Sequence, residues 1–248
     1  MAEELVEAKS REVALPSGAW GAADEVTPDD FLISKVLLMQ ALSDQVVNGD
    51  AKMGQYRDSV TGELYAAEDE NFEALCIYRD MTWVVFEDGE YKETVPLTDE
   101  NRNLPIEDGK IQRNKTFNFY LLPLKGIEES PASVVPAVLS LKRTGLRTAK
   151  AMQTHYNRLA AENLPSAHKV TLLGSSKKTN DRGTFAVPTF SVGRETTREE
   201  QLVAYQWYKN LVEAKKKNKV RVDDSDEKRG AGRSEKPTQE LDDEDIPF

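Results

Sequence analysis

Lys110, Arg113 and Lys115 run directly into Phe117, Phe119 and Tyr120. Cations that follow phosphates, next to flat rings on which bases stack, are what a protein needs to hold a single nucleic-acid strand without reading its sequence. Each stacked base contributes roughly 1–3 kcal/mol. A second basic group, Lys142, Arg143, Arg147 and Lys150, surrounds Gly145, a position where backbone N–H groups can approach a phosphate. Arg147 and Lys150 are three residues apart and share a helix face. Tyr156 and Arg158 extend that surface. A third group, Lys177, Lys178 and Arg182, reads as a basic loop between strands. Lys215–Arg221 closes a helix, where positive charge complements the helix dipole, so a structural role is the simpler reading.

Other chemistry has little material. The chain has two histidines, His155 and His168, in different segments, and one cysteine, Cys76, so disulfides, cysteine cages and Cys/His nucleophiles are not supported. There is no GxxxxGK[ST] loop and no GxGxxG, so no nucleotide cofactor is expected. Asp58, Glu63, Glu68, Asp69, Glu70 and Glu73 cluster in sequence but fall around a turn and a loop, where solvated charge explains them. The reading is a binding protein, not an enzyme, with no metal and no cofactor.

Several elements must position these residues. Phe31–Val47 reads as a buried strand running into a short helix. Asp58–Glu63, with Gly62, is a turn joining strands near 55–57 and 63–66. Phe72–Phe86 is a run of strand formers that includes Tyr78 and Trp83, read as core, and Asp88-Gly89 ends it. Residues 115–122 alternate, with Phe117, Phe119 and Leu121 on one face and Thr116, Asn118, Tyr120 and Leu122 on the other. If the phenylalanines face the core, Tyr120 faces outward as the stacking ring. Val134–Leu141 is a strand with Pro136 near an edge or bulge. Leu146–Ala161 is a helix, and Val170–Leu173 and Thr184–Val192 are strands, the second interrupted by Pro188. Capping boxes at Thr196–Glu199 and Thr197–Glu200 start an amphipathic helix that runs to about Lys217. The class is mainly β with helices (α+β).

Charge divides the chain into three. The 248 residues carry a net −10, but residues 1–103 hold 8 basic and 23 acidic side chains, residues 104–221 hold 21 and 10, and residues 222–248 hold 4 and 10. Screening confines each charge to about 8–10 Å, so the basic middle decides phosphate binding, not the total. Residues 1–30 read as an arm, residues 31–221 as one folded domain, and residues 222–248 as a disordered tail with almost nothing to bury. No apolar run approaches the roughly 18 residues of a membrane span. The N-terminus lacks the basic and apolar regions of a secretory signal. A soluble cytoplasmic protein of a bacterial or phage-infected cell is expected.

The tail ends in Asp242, Asp243, Glu244, Asp245, Ile246, Pro247 and Phe248. This ending resembles the C-terminus of bacterial single-stranded DNA-binding proteins, in which a disordered linker closes on acidic residues and Ile-Pro-Phe. The resemblance implies that Ile246, Pro247 and Phe248 fill apolar pockets on replication and repair partners. Basic residues around such a pocket receive the acids and the terminal carboxylate. It implies an OB-fold, a five-stranded Greek-key barrel, here with insertions, and it leaves homo-oligomerisation open. The body matches the bacterial proteins at no quotable residue and looks more like a bacteriophage version that keeps the tip and replaces the domain. The expected function is coating and protecting single strands during replication and recombination while recruiting partners through the tip. Two alternatives stand beside it: a phage recombination mediator or strand-annealing protein, and an adaptor that carries the tip without contacting DNA.

Overall fold

The computed structural model describes residues 32–129, 131, 134–181, 183–217 and 220–222. The expected arm, Arg182 and the acidic tip lie outside them.

Two long strands form the frame. β4 (Phe72–Glu87) and β7 (Ile111–Pro123) are antiparallel along almost their whole length, with a bulge between Cys76 and Tyr78. β5 (Glu90–Pro96) returns along the far half of β4, and the two-residue β6 (Glu107–Asp108) pairs with the start of β7. At the near half, β8 (Ala137–Leu141) pairs with β7, β9 (Lys169–Asn180) pairs with the start of β4, and β10 (Gly183–Glu195) pairs with β9. These seven strands make one antiparallel sheet. Two small sheets join it: β2 (Val36–Leu38) with β3 (Tyr56–Asp58), and β1 (Leu32–Ile33) parallel to β11 (Arg221–Val222). The short helix α1 (Asp44–Val47) follows β2.

The period-2 alternation gives the sheet two apolar faces near its centre. On one face, Phe119, Leu121, Leu139 and Leu141 pack against Ala149, Met152, Tyr156 and Leu159 of helix α3 (Leu146–Ala161), with Val36 and Tyr56 beside them. On the other, Leu75, Tyr120, Leu122 and Val138 pack under α2 (Leu124–Glu129) and under Ala204 and Leu211 of α4 (Arg198–Lys216). Helix on both faces makes a three-layer α+β arrangement. The sheet stays open: among the described residues no pairing joins β10 to the opposite edge, so the expected barrel is not formed. The physical reason is that the central strands already bury both faces under helices, leaving no apolar interior for closure to cover.

Helix starts and edges follow their chemistry. Of the two capping boxes, Thr197–Glu200 forms: the Glu200 N–H donates to Thr197 Oγ1 and the Thr197 N–H donates to Glu200. Arg194 adds two donors to the same carboxylate at 2.9 and 2.7 Å. Strand β10 runs through Pro188 instead of breaking there, because the proline lies on an outer edge where no ladder N–H is required. That edge is blocked by side chains. The Gln40 amide bonds both the N–H (2.9 Å) and the C=O (3.1 Å) of Ala186, and Thr148 Oγ1 donates to the Pro188 carbonyl at 2.6 Å. Unpaired backbone that would otherwise recruit another strand is thereby satisfied.

Candidate nucleic-acid interface

The predicted basic residues separate into three groups. The first begins where β8 turns into α3. Lys142 is extended, Arg143 takes a left-handed conformation (φ 47°), and a 3-10 turn over Arg143–Gly145 leads into the helix. Gly145 is buried against the Leu141 and Pro188 side chains, and its N–H donates to the Lys142 carbonyl at 2.9 Å. The glycine's own N–H is thus used within the turn, and the glycine serves close packing. Beside the turn lies a cavity of about 130 Å³ lined by Gln40, Leu141, Lys142, Thr144, Gly145 and Pro188. No side chain caps the α3 N-terminus.

Around this turn the cations gather. Arg147 and Lys150 are exposed on successive turns of α3, while their neighbours Thr148, Ala149 and Met152 are buried. Arg143 reaches back to β7, donating from Nε to Asn114 Oδ1 at 3.5 Å. One residue on, Lys115 shares the α3 face with Phe117 by strand alternation, and its Nζ stands 5.9 Å from the Trp83 ring. Lys142, Arg143 and Lys150 each have an interaction of their own, so a phosphate arriving here exchanges partners with them. Arg79, which sequence reading passed over inside an apolar strand, joins the group: its Nη1 donates to the Gln153 carbonyl at 3.4 Å and its guanidinium lies 5.6 Å from the Tyr156 ring.

The second group is the β9–β10 ribbon, which continues beyond the last pairing of β9 with β4. Lys177 pairs with Ala186 and Lys178 with Phe185, so the two lysines project to opposite faces. Lys177 shares the face of Ala186, which also lines the cavity near Lys142.

The third group, Lys110 and Arg113, lies apart from the other two, at the β6–β7 hairpin. Lys110 sits at the far tip of the β6–β7 hairpin, paired with Asp88 at 3.1 Å in a neighbourhood that includes Glu87 and Asp108. Arg113, with 12% of its side chain exposed, donates to the Pro105 carbonyl at 2.9 Å and approaches Asp108 at 3.8 Å. It anchors the preceding loop. Phosphate binding at either position would compete with carboxylates.

The expected stacking ring, Tyr120, and Tyr156, expected to extend the basic surface, are both core residues. Tyr120 is 3% exposed beneath α4, edge-on to Tyr78 at 5.5 Å with Lys215 Nζ 4.6 Å from its ring. The alternation places it opposite Phe117 as expected, but that opposite face is covered, not solvated. Tyr156 is 1% exposed, its hydroxyl 2.7 Å from Thr171 Oγ1 and its ring among Phe119, His155 and Phe190. Burial pushes both phenol groups above their ordinary pKa, with nearby Asp80 adding to the rise at Tyr120. Cys76 is likewise buried, its thiol pushed up to about 12. Trp83 is core as read, its indole N–H donating to the Asn101 carbonyl at 3.0 Å.

The last turn of α4 is held to the sheet. Lys215 pairs with Asp80, which also accepts from Asn118, whose Oδ1 accepts from Ser140 at 2.8 Å. This chain of polar contacts crosses the sheet toward Lys142. Among the described residues no cluster of His, Cys, Asp or Glu has the makings of a metal site, and no helix is long and apolar enough to cross a membrane.

The sequence profile of the family described as Pam3 phage gp34-like protein matches residues 14–221. No curated protein and no solved structure matches the chain.

Proposed function

We propose that this chain, which belongs to the Pam3 phage gp34-like protein family, binds single-stranded DNA and presents its acidic Ile-Pro-Phe end to replication, recombination and repair proteins. The observation that carries the reading is the set Lys142, Arg143, Arg147 and Lys150 at the β8–α3 junction, which Arg143 links to β7 at Asn114, the neighbour of Lys115, and which shares a cavity with Ala186, the cross-strand partner of Lys177. A flexible polyanion is held by such a surface mainly through release of its counterions. In this reading the strand lies across the open sheet's edge and α3, not in a barrel groove. Asp242–Asp245 steer encounter with a basic pocket on the partner, and Ile246, Pro247 and Phe248 anchor in it.

The reading is tested by titrating oligo(dT), duplex DNA and RNA across a salt series. Oligo(dT) is expected to bind best, with affinity falling steeply as salt rises. The double substitution Arg147→Ala, Lys150→Ala is expected to flatten the log–log slope by about 1.4, from about 0.7 per single-strand phosphate contact. Deleting Ile246–Phe248 leaves DNA affinity intact or tighter and abolishes partner capture. Absence of oligo(dT) binding at about 50 mM salt, where counterion release is strongest, overturns the proposal. Burial of Tyr120 and Tyr156 favours one competing reading, an adaptor whose body does not touch DNA. In that case tip-dependent capture persists while oligo(dT) leaves the tryptophan fluorescence unchanged.

A further inference from the structure

A strand binder needs reachable rings, and α4 carries them. Among the described residues, the exposed large apolar side chains include two aromatics, Tyr205 (58%) and Tyr208 (43%), three residues apart along one flank of α4, with Tyr208 at its border near Tyr78 of the sheet. Lys209 Nζ lies 5.3 Å from the Tyr205 ring, and Arg198, Lys216 and Lys217 are exposed along the same helix and its cap. Glu199 and Glu213 are the exposed acids of the helix; Glu200 is held by Arg194 and the capping box.

We infer that the exposed flank of α4 is a stacking platform for single-stranded nucleic acid, with Tyr205 and Tyr208 receiving bases and Lys209, Lys216 and Lys217 receiving phosphates. This rests on the proposed single-strand binding and gives it the rings that the buried tyrosines do not supply. A spacing of three on a helix sets the two rings one above the other about a turn apart, a geometry that neighbouring splayed bases can follow. The positive end of the platform points toward the cations already described. Lys215, one residue before Lys216, is tied through Asp80, Asn118 and Ser140 to the end of β8, two residues short of Lys142. A strand leaving the α4 rings therefore meets the β8–α3 cations around that edge of the sheet.

The full chain is titrated with oligo(dT) while fluorescence is followed, Trp207 lying within the platform's own helix. The wild type, Tyr205→Ala with Tyr208→Ala, and Tyr205→Phe with Tyr208→Phe are compared, each first checked for an unchanged melting temperature. The alanine pair is expected to weaken binding by roughly fivefold or more per ring, and the phenylalanine pair, which keeps the rings, to bind as the wild type does. A wild type that binds oligo(dT) and an alanine pair that binds equally well overturn the platform while leaving the proposed function standing. The platform is equally overturned if the alanine pair keeps its DNA affinity but loses self-association or capture of a protein, which makes the face a protein-docking surface. A wild type that does not bind oligo(dT) removes both proposals.

Discussion

Replacing Tyr156 separates a core residue from a DNA contact. Its ring is 1% exposed and its hydroxyl lies 2.7 Å from Thr171 Oγ1, itself 1% exposed. Tyr156→Phe keeps the ring and removes one hydrogen bond, leaving a buried threonine hydroxyl short of a partner; the expected cost is about 1–2 kcal/mol. Tyr156→Ala removes the ring from contact with Phe119, Phe190 and His155 and from beneath the Arg79 guanidinium. Truncating a buried aromatic costs about 3–5 kcal/mol, a fall in melting temperature of about 6–20 °C for a domain of this size. The assay is urea unfolding followed by tryptophan fluorescence, with the midpoint shifting and the m-value unchanged. Tyr156→Phe is expected to bind oligo(dT) as the wild type does. A stable Tyr156→Ala protein with weakened DNA binding would refute burial in the core and return Tyr156 to the DNA-binding surface.

Two further outcomes are expected. The Glu200 carboxyl is held below its ordinary pKa by Arg194 and the Thr197 cap, against the opposing effect of burial. Because the folded value lies below the unfolded one, its contribution to stability is complete above about pH 5 and is lost as pH falls through the folded value. The destabilisation caused by Glu200→Gln should therefore shrink as pH falls below about 5 in an acid-unfolding series; a difference independent of pH would contradict this. Gln40→Ala removes both bonds to Ala186 and uncovers part of the β10 edge. The expected loss is about 1–3 kcal/mol for the two hydrogen bonds, together with concentration-dependent association by light scattering. A variant that stays monomeric and fully stable would show that the edge is protected by something else.

Much of the local structure was legible in residue order. The alternation of 115–122, the spacing of Ala149, Met152, Tyr156 and Leu159, and the Thr197–Glu200 box depend on neighbours within a few residues, and each forms as read. The cations about Gly145 were also legible, because a strand–helix junction keeps sequence neighbours together in space. Trp83 was read correctly as core because it opens the apolar run Trp83–Phe86.

What residue order did not determine was which faces meet solvent. Strand alternation separates Tyr120 from Phe117, but only the docking of α4 from more than 80 positions later decides that both sides of the sheet are dry. The same holds for Lys110 and Arg113, whose carboxylate and carbonyl neighbours come from other strands and loops, and for Arg79, which reaches α3 across the fold. Sequence fixes periodicity and charge through short-range geometry, whereas burial and ion pairing arise from long-range contacts that only the packed layers create.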